Sequence, residues 1–143
     1  MPPCIIIKIV YKYVFPLYND DMKTILIVDD SKIMRNIVKN HFSELNIACQ
    51  YIEAVDGADA LDKLWKNPVN LVLLDWNMPN LLGIDFLKKV RSMDMYKDLP
   101  IIMVTSEAAK FNVIEALKQG ATDYFVKPIN AKLFKEKLSR INF

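Results

Sequence analysis

The sequence predicts an α/β domain built around a parallel sheet, and three observations lead to that class. Four short runs are apolar at every position, namely Ile25–Val28, Leu71–Leu74, Ile101–Val104 and Tyr124–Val126. Strands that are covered on both faces, as in parallel sheets, have this character. Amphipathic helical patterns separate the runs. The 143-residue chain is also 52% apolar and 25% charged, which is a globular composition and excludes general disorder.

Each element of this alternation has its own signal. A further extended segment, Ile47–Val55, alternates more and is predicted to be an edge strand. Apolar stripes at helical spacing predict five helices. Their members are Ile33, Met34, Ile37, Val38, Phe42 and Leu45; Ala58, Leu61, Leu64 and Trp65; Phe86, Leu87 and Val90; Val113, Ile114 and Leu117; and Leu133, Phe134, Leu138 and Ile141. Ser31, Ser106 and Asn130 are predicted helix caps. The pattern is five repeats of a strand followed by a helix, the size of one domain.

Charge and cysteine content exclude several classes of protein. Lys and Arg number 19 against 17 Asp and Glu, and no basic run is present, so no nucleic-acid partner is expected. Cys4 and Cys49 form neither a disulfide scaffold nor a metal pair, which favours a reducing cytoplasm. No apolar stretch is long enough for a membrane span, so no membrane insertion is expected. A nucleotide- or flavin-binding protein is disfavoured because no glycine-rich phosphate loop is present.

Residues 1–21 are expected to be an extension outside the domain. Met22 begins a segment that looks like a natural protein start and leads directly into a strand. The ordinary interpretation is an upstream extension of the reading frame or a cloning remnant. The alternative is a short extra strand, because Ile, Val and Tyr favour extended structure. The features of a secretory signal are missing. The predicted domain therefore spans residues 22–143.

Polar side chains follow four of the predicted strands at the point where each strand ends. Asp29 and Asp30 follow the first run, and Asp75, Thr105 and Lys127 follow the others. Open parallel sheets bind ligands beyond the carboxyl ends of their strands, so we expect these side chains at one edge. Each of them alone has an ordinary structural explanation, such as a cap or a turn. Their joint occurrence at this edge favours a functional site.

Three carboxylates at one edge predict a site for Mg²⁺. Crowded carboxylates raise each other's proton affinity unless a cation is present, and hard oxygen ligands suit Mg²⁺. Lys127 would supply a compact positive charge for a phosphoryl oxygen. A carboxylate can attack phosphorus to form an aspartyl phosphate. The chemical interpretation is an acidic Mg²⁺ site in which one carboxylate accepts a phosphoryl group.

Four segments carry a resemblance to a known family. They are VDDS at Val28–Ser31, DWNMP at Asp75–Pro79, MVTSE at Met103–Glu107 and DYFVKP at Asp123–Pro128. On these segments the chain from Met22 onward resembles two-component response regulator receiver domains, and especially the single-domain chemotaxis type. The resemblance implies a flavodoxin-like, doubly wound fold with five helices and the strand order 2-1-3-4-5.

The resemblance also implies the phosphorylation chemistry. Asp75 would accept a phosphoryl group from a histidine kinase. Asp30, Asp75 and the backbone carbonyl of Asn77 would bind Mg²⁺ directly. Asp29 would act on the ion through water, and Lys127 would contact the phosphoryl group. The protein would not be an enzyme in the usual sense, since it would catalyse only its own phosphorylation and dephosphorylation.

Further residues would transmit and limit the signal, again by resemblance. The Thr105 hydroxyl would turn towards the phosphoryl group, and Tyr124 would follow inward. Asn77 and Glu107 would flank the entry of a hydrolytic water. The Lys127–Pro128 bond is expected to be cis, as in the family.

The kind of receiver follows from the chain end and from three residues. The chain ends one helix after Lys127, so no output domain is expected and a transcription factor is disfavoured. Trp76, Asn77 and Glu107 resemble chemotaxis regulators, with a CheA-like histidine kinase and a FliM-like flagellar motor switch protein as partners. A phosphatase is a further candidate partner. The alternatives are a phosphorelay intermediate, which would pass phosphate to a downstream phosphotransfer protein, and a pseudo-receiver scaffold. Leu81-Leu82-Gly83 departs from the family pattern, in which a polar residue precedes this glycine.

Overall fold

The computed structural model describes residues 22–106 and 110–143. The predicted extension at residues 1–21 and the predicted modulating residue Glu107 lie outside the described residues. No helix of the described part of the chain is long and apolar enough to cross a bilayer.

Strands and helices alternate along the described chain. The strands are β1 (Lys23–Val28), β2 (Cys49–Ala54), β3 (Leu71–Asp75), β4 (Ile101–Thr105) and β5 (Asp123–Val126). The helices are α1 (Lys32–Glu44), α2 (Gly57–Lys66), α3 (Gly83–Arg91), α4 (Lys110–Lys118) and α5 (Ala131–Ser139). A single 3-10 turn at Asp94–Tyr96 precedes β4.

The five strands form one parallel sheet in the order β2-β1-β3-β4-β5. This confirms the predicted fold class and strand order. Each fully apolar run lies in a strand, and the alternating segment Ile47–Val55 contains β2 at one edge of the sheet, as predicted. β1 and β3 are neighbours in the interior of the sheet. Because all strands are parallel, the carboxyl ends of these two strands lie at the same edge of the sheet.

Alternate residues of the central strands enter two separate apolar cores. Leu26 and Val28 of β1 belong to the core on the side of α2 and α3, whereas Ile25 and Ile27 belong to the core on the side of α1 and α5. Every one of these side chains is buried, because helices cover both faces of the sheet. This double cover explains why the strands are apolar at every position.

Two of the three predicted helix caps are confirmed, whereas the residues that follow the third, Ser106, lie outside the described part of the chain. The Ser31 hydroxyl accepts a hydrogen bond from the Met34 amide at 3.3 Å and begins α1. The Asn130 side chain accepts from the Leu133 amide at 3.1 Å and begins α5. Both side chains satisfy an amide that has no partner within the first turn of its helix.

The predicted stripe on α1 was wrong at two of its positions. Val38 and Phe42 are buried, but Ile33 is 73% exposed and Ile37 is also exposed. Neighbouring helix positions differ by about 100° around the axis, so a stripe that includes both 33 and 34 is wider than the contact with the sheet. The row of side chains that contains Val38 and Phe42 packs against the sheet, whereas the adjacent row with Ile33 and Ile37 is exposed to solvent.

Other predicted stripes contain similar errors. In α4, Ile114 and Leu117 are exposed, and Ala116 is buried instead. Ala58 of α2 and Leu133 of α5 are exposed as well. Every predicted member of the α3 stripe is buried. The apolar stripes therefore identified the helices correctly and their buried positions only in part.

Candidate functional site

The sheet delivers the predicted site residues to one edge because its strands are parallel and in register. Val28 pairs with Leu74, so the residues that follow them, Asp29 and Asp75, leave adjacent strands together. On the other side of β3, Thr105 pairs with Val126 directly before Lys127. Ligand sites of open α/β sheets lie beyond this edge.

Four of the predicted site residues form one cluster. One carboxylate oxygen from each of Asp29, Asp30 and Asp75 lies within 4.8 Å of the others. The Lys127 ammonium lies 3.1 Å from Oδ2 of Asp29 and 3.2 Å from Oδ1 of Asp75. Asp29 and Asp75 are buried, whereas Asp30 is exposed. Two carboxylates are thus shielded from water and the third faces it, with a single ammonium group bridging the buried pair.

Asp29 is held from several directions. Its Oδ1 accepts a hydrogen bond from the Ser31 amide at 2.8 Å, and its backbone carbonyl accepts one from Nη1 of Arg35 at 2.6 Å. Arg35 is itself paired with Glu53 at 3.0 Å. These contacts hold the Asp29 carboxylate and the backbone at the start of the turn after β1.

Burial and like-charge repulsion oppose ion pairing within the cluster. Burial, together with the charge of Asp29, raises the pKa of Asp75 above its ordinary value, although Lys127 acts in the opposite direction. Burial alone would lower the pKa of Lys127, but its hydrogen bonds and ion pairs with Asp29 and Asp75 outweigh burial and raise it. The ion pair therefore secures the charge of Lys127 without fully compensating that of Asp75. A group of three carboxylates with one ammonium retains net negative charge and suits an added cation.

The remaining predicted residues lie around this cluster. Thr105 is buried at the last position of β4, and its carbonyl accepts a hydrogen bond from the Lys127 amide at 2.7 Å. Asn77 is exposed in the loop after β3, and Tyr124 is half-buried on β5. The Lys127–Pro128 bond is cis, as expected.

The chain passes very close to Asp75 where α3 begins. A Cβ atom at Gly83 would lie 2.1 Å from the Asp75 carbonyl oxygen, so any side chain at this position would displace backbone. The Gly83 amide donates to the Trp76 carbonyl at 3.1 Å. Leu82, which precedes Gly83 and departs from the family pattern, lies partly in solvent and caps α3 without a side-chain hydrogen bond. The glycine keeps the loop after Asp75 short and tightly folded.

The sequence of this chain matches a known protein family. The model of the response regulator receiver domain family matches residues 25–139, which include β2 to β5, all of β1 except its first two residues, and all of the clustered site residues. The chain belongs to the response regulator receiver domain family.

Similar receiver domains include several chemotaxis proteins. The chain is 48% identical to the chemotaxis protein CheY1 of Helicobacter pylori over 115 residues, which are 80% of this chain and 92% of that protein. It is 46% identical to a chemotaxis protein CheY homolog of Campylobacter jejuni over 118 residues, covering 82% of this chain and 90% of that one. The structure of the chemotaxis response regulator CheY4 of Vibrio cholerae matches with a TM-score of 0.75 and 34% identity, covering 85% of this chain and 99% of that one.

Membership of the receiver family relates the carboxylate cluster to a known kind of metal site. Receiver domains are signalling proteins that interact with histidine kinases and downstream targets, and they bind Mg²⁺ in an acidic pocket. The donor set of Asp29, Asp30 and Asp75 fits such an ion, because it supplies hard oxygen atoms within reach of one another.

Sequence reasoning missed some residues that support this receiver site. Arg35 could have been noticed as a base one turn into the helix after two aspartates, but its acceptor is a backbone carbonyl that no sequence pattern shows. Lys137 of α5 lies 3.0 Å from Asp123 and 4.0 Å from the ring centroid of Tyr124. Its spacing of thirteen residues from Tyr124 gives no local signal.

Proposed function

We propose that this protein is a single-domain response regulator that is phosphorylated on Asp75 by a histidine kinase in the cytoplasm, and that residues 22–143 form the functional unit. One observation carries the proposal: Asp75 is a buried carboxylate whose raised pKa reflects burial and the neighbouring charge of Asp29, with Lys127 at 3.2 Å. A carboxylate with raised proton affinity is a suitable nucleophile for phosphorus, and the ammonium group beside it can offset the negative charge that the phosphoryl group brings.

The proposed transfer is a displacement at phosphorus. A carboxylate oxygen of Asp75 attacks the phosphorus of a phosphohistidine, forming an O–P bond while the P–N bond breaks. The electron pair of the P–N bond returns to the imidazole nitrogen, which takes up a proton. The Lys127 ammonium, which is already oriented towards Asp75, would neutralise charge on a phosphoryl oxygen.

The acidic residues would hold Mg²⁺ beside the acceptor. Asp30, Asp75 and the backbone carbonyl of Asn77 are the proposed direct ligands, and Asp29 is proposed to act through water. When bound, the ion supplies positive charge that offsets repulsion between the carboxylates and the phosphoryl oxygens. The exposure of Asp30 supports this assignment, since a ligand at the open side of the cluster gives an ion access from solvent.

A phosphoryl group on Asp75 would change the surface next to the site. Its oxygens are strong acceptors, so the buried Thr105 hydroxyl would turn towards them and Tyr124 would move inward. The face formed by α4, β5 and α5 would then bind a target. Asn77 and Glu107 are proposed to control access of the water that ends the signal.

The proposed target is a flagellar motor switch protein of the FliM type, and the proposed kinase is of the CheA type. Support comes from relatives that are named chemotaxis proteins and that match over 92% and 90% of their own lengths. Those proteins consist almost entirely of the matched domain, so the role in their names rests on that domain.

Tryptophan fluorescence tests the proposal, because Trp76 adjoins Asp75. A Trp65→Phe background isolates the Trp76 signal while Mg²⁺ and then a small phosphodonor are added. We expect one change with each addition, with the second absent in Asp75→Asn. No response of the parent protein to the phosphodonor, or an equal response of Asp75→Asn, would contradict phosphorylation at this residue. Binding of motor-switch peptide only after phosphodonor would support chemotaxis output over a phosphorelay role.

A further inference from the structure

The loop between β3 and α3 is attached to a second part of the molecule, the start of α2. Within its own sequence, the loop is closed by hydrogen bonds from Leu81 N to the Pro79 carbonyl at 2.8 Å and from Gly83 N to the Trp76 carbonyl at 3.1 Å. The loop also carries Asn77, which is exposed. These local hydrogen bonds determine the shape of the loop, but they do not fix where the loop lies relative to the helices around it.

The first attachment is made by Asn80. Its Nδ2 donates a hydrogen bond to Oδ2 of Asp56 at 2.7 Å, across 24 positions of sequence. Asp56 is the N-cap of α2, and its other oxygen accepts from the Asp59 amide at 2.8 Å. Both hydrogen bonds lower the pKa of Asp56 below its ordinary value, and the bond from the Asp59 amide has a larger effect than the bond from Asn80. One carboxylate thus begins a helix and anchors a loop.

Asn80 also has an unusual backbone conformation. Its φ is 68°, in the left-handed region, where asparagine is tolerated better than most other residues except glycine. The reversal of direction at Asn80 lets the chain turn from the exposed Asn77 back to the start of α3. The side chain and the backbone of this residue therefore serve the same loop geometry.

The second attachment is a close packing contact. A Cβ atom at Gly57, the first residue of α2, would lie 2.7 Å from Cβ of Leu81. Leu81 thus occupies the space that a side chain at Gly57 would take. Asn80 and Leu81 are consecutive, and both rest on the first turn of α2, so the loop and the helix start form one unit.

We propose that Asn80 and Asp56 are positioning residues that hold the β3–α3 loop ready for Mg²⁺, and so set the affinity of the acidic site for the ion. The inference deepens the proposed function, since it rests on the Asn77 carbonyl being a ligand. A loop that has the competent conformation only part of the time binds more weakly in proportion to that fraction. Groups that orient metal ligands from outside the coordination shell typically change affinity by about ten- to a hundredfold.

A series of variants at position 80 separates the backbone from the side chain. Asn80→Gly keeps the left-handed conformation accessible but removes the hydrogen bond, and Asn80→Ala loses both. Asp56→Ser keeps an N-cap for α2 but removes the acceptor for Asn80. Lys66→Ala is the matched control, because it breaks only the exposed pair of Lys66 with Asp62 on the same helix.

Mg²⁺ affinity is measured by Trp76 fluorescence in the Trp65→Phe background, and amide hydrogen exchange of Leu81 and Gly83 is measured without metal. We expect about tenfold weaker binding for Asn80→Ala, a smaller loss for Asn80→Gly, and no change for Lys66→Ala. Exchange at both amides should be faster in Asn80→Ala. Asp56→Ser should repeat the loss, and combining it with Asn80→Ala should add little, since both remove one contact.

Two results would overturn the inference, and they differ in what else they overturn. Wild-type affinity and unchanged amide exchange in both Asn80→Ala and Asp56→Ser would refute positioning while leaving the proposed function intact. Absence of Mg²⁺ binding by the parent protein would refute both. Asp56→Ser also provides the test if Asn80→Ala does not fold.

Discussion

The interior of β3 and its last residue are both buried, yet burial has opposite consequences in the two places. Leu71 to Leu74 are at most 1% exposed and Asp75 is 6% exposed. Burial of each leucine removes apolar surface from water and stabilises the fold by roughly 2 kcal/mol. Burial of Asp75 instead raises its pKa, because the charged form loses hydration and faces Asp29.

The difference shows how one strand supports both stability and chemistry. The apolar run holds β3 between β1 and β4, so Asp75 cannot move away from its charged neighbours. The repulsion between the crowded carboxylates then favours the binding of a cation. Substitutions in the run and at its end should therefore change stability in opposite directions.

The largest expected effect is loss of stability when the interior of β3 is truncated. Leu73→Ala should lower the free energy of unfolding by about 2–5 kcal/mol, because Leu73 lies in the core shared with α1 and α5. Urea unfolding followed by circular dichroism measures the change. Leu117→Ala, at an exposed position of α4, is the control and should change stability by less than about 0.5 kcal/mol. Equal effects of the two substitutions would contradict the assigned burial.

Mg²⁺ should increase stability by a somewhat smaller amount, through the carboxyl end of the same strand. At a free ion concentration a hundred times the dissociation constant, the gain should be about 2.7 kcal/mol, provided that the unfolded chain does not bind the ion. Asp30→Asn should abolish most of the gain, whereas Asp62→Asn on the exposed side of α2 should retain it. A urea midpoint that does not move with Mg²⁺, or moves equally in Asp30→Asn, would count against the acidic site.

Removal of the Asp75 charge should produce a smaller gain. In the absence of Mg²⁺ at pH 7, Asp75→Asn should be more stable than the parent protein by about 1 kcal/mol, because it removes a buried charge and the repulsion of that charge by Asp29. Because folding raises the pKa of Asp75, the parent protein loses stability as pH rises from the ordinary carboxyl range through the raised value. Lys127 has a pKa raised above 10.5, so its contribution is complete at neutral pH and lost only in strong alkali.

The difference between Asp75→Asn and the parent protein should therefore shrink towards acid pH, where Asp75 is protonated in both the folded and unfolded states. Urea unfolding at several pH values gives this dependence. A less stable Asp75→Asn at pH 7 would show that Lys127 compensates the Asp75 charge completely.

The fold could be predicted largely because its signals are local. The apolar runs marked four strands, the alternating segment Ile47–Val55 marked the fifth, and Ser31 and Asn130 marked two helix starts. These patterns depend on neighbours in sequence. The exposure of Ile33 and Leu117 could not be predicted in this way. Which row of a helix meets the sheet depends on how the helix lies across the strands, and that is a tertiary property.

Of the candidate site, too, the residues marked by local sequence signals were predicted, and the contacts that depend on tertiary structure were not. Asp29, Asp75 and Lys127 were found because each follows a strand whose end the sequence marks. The bond between Asn80 and Asp56 was missed, since it joins a loop to a helix that become neighbours only when the sheet assembles. The contact of Arg35 with a backbone carbonyl was missed because every residue has such a carbonyl.

Chemical mapping of the acyl phosphate shows whether Asp75 accepts a phosphoryl group. The protein is incubated with Mg²⁺ and a small phosphodonor, reduced with borohydride, digested and analysed by mass spectrometry. Reduction converts an aspartyl phosphate to homoserine. We predict homoserine at position 75 and at none of the other aspartates, and no reduction product in Asp75→Asn. Homoserine at position 29 or 30 instead, or no homoserine in the parent protein, would contradict the account.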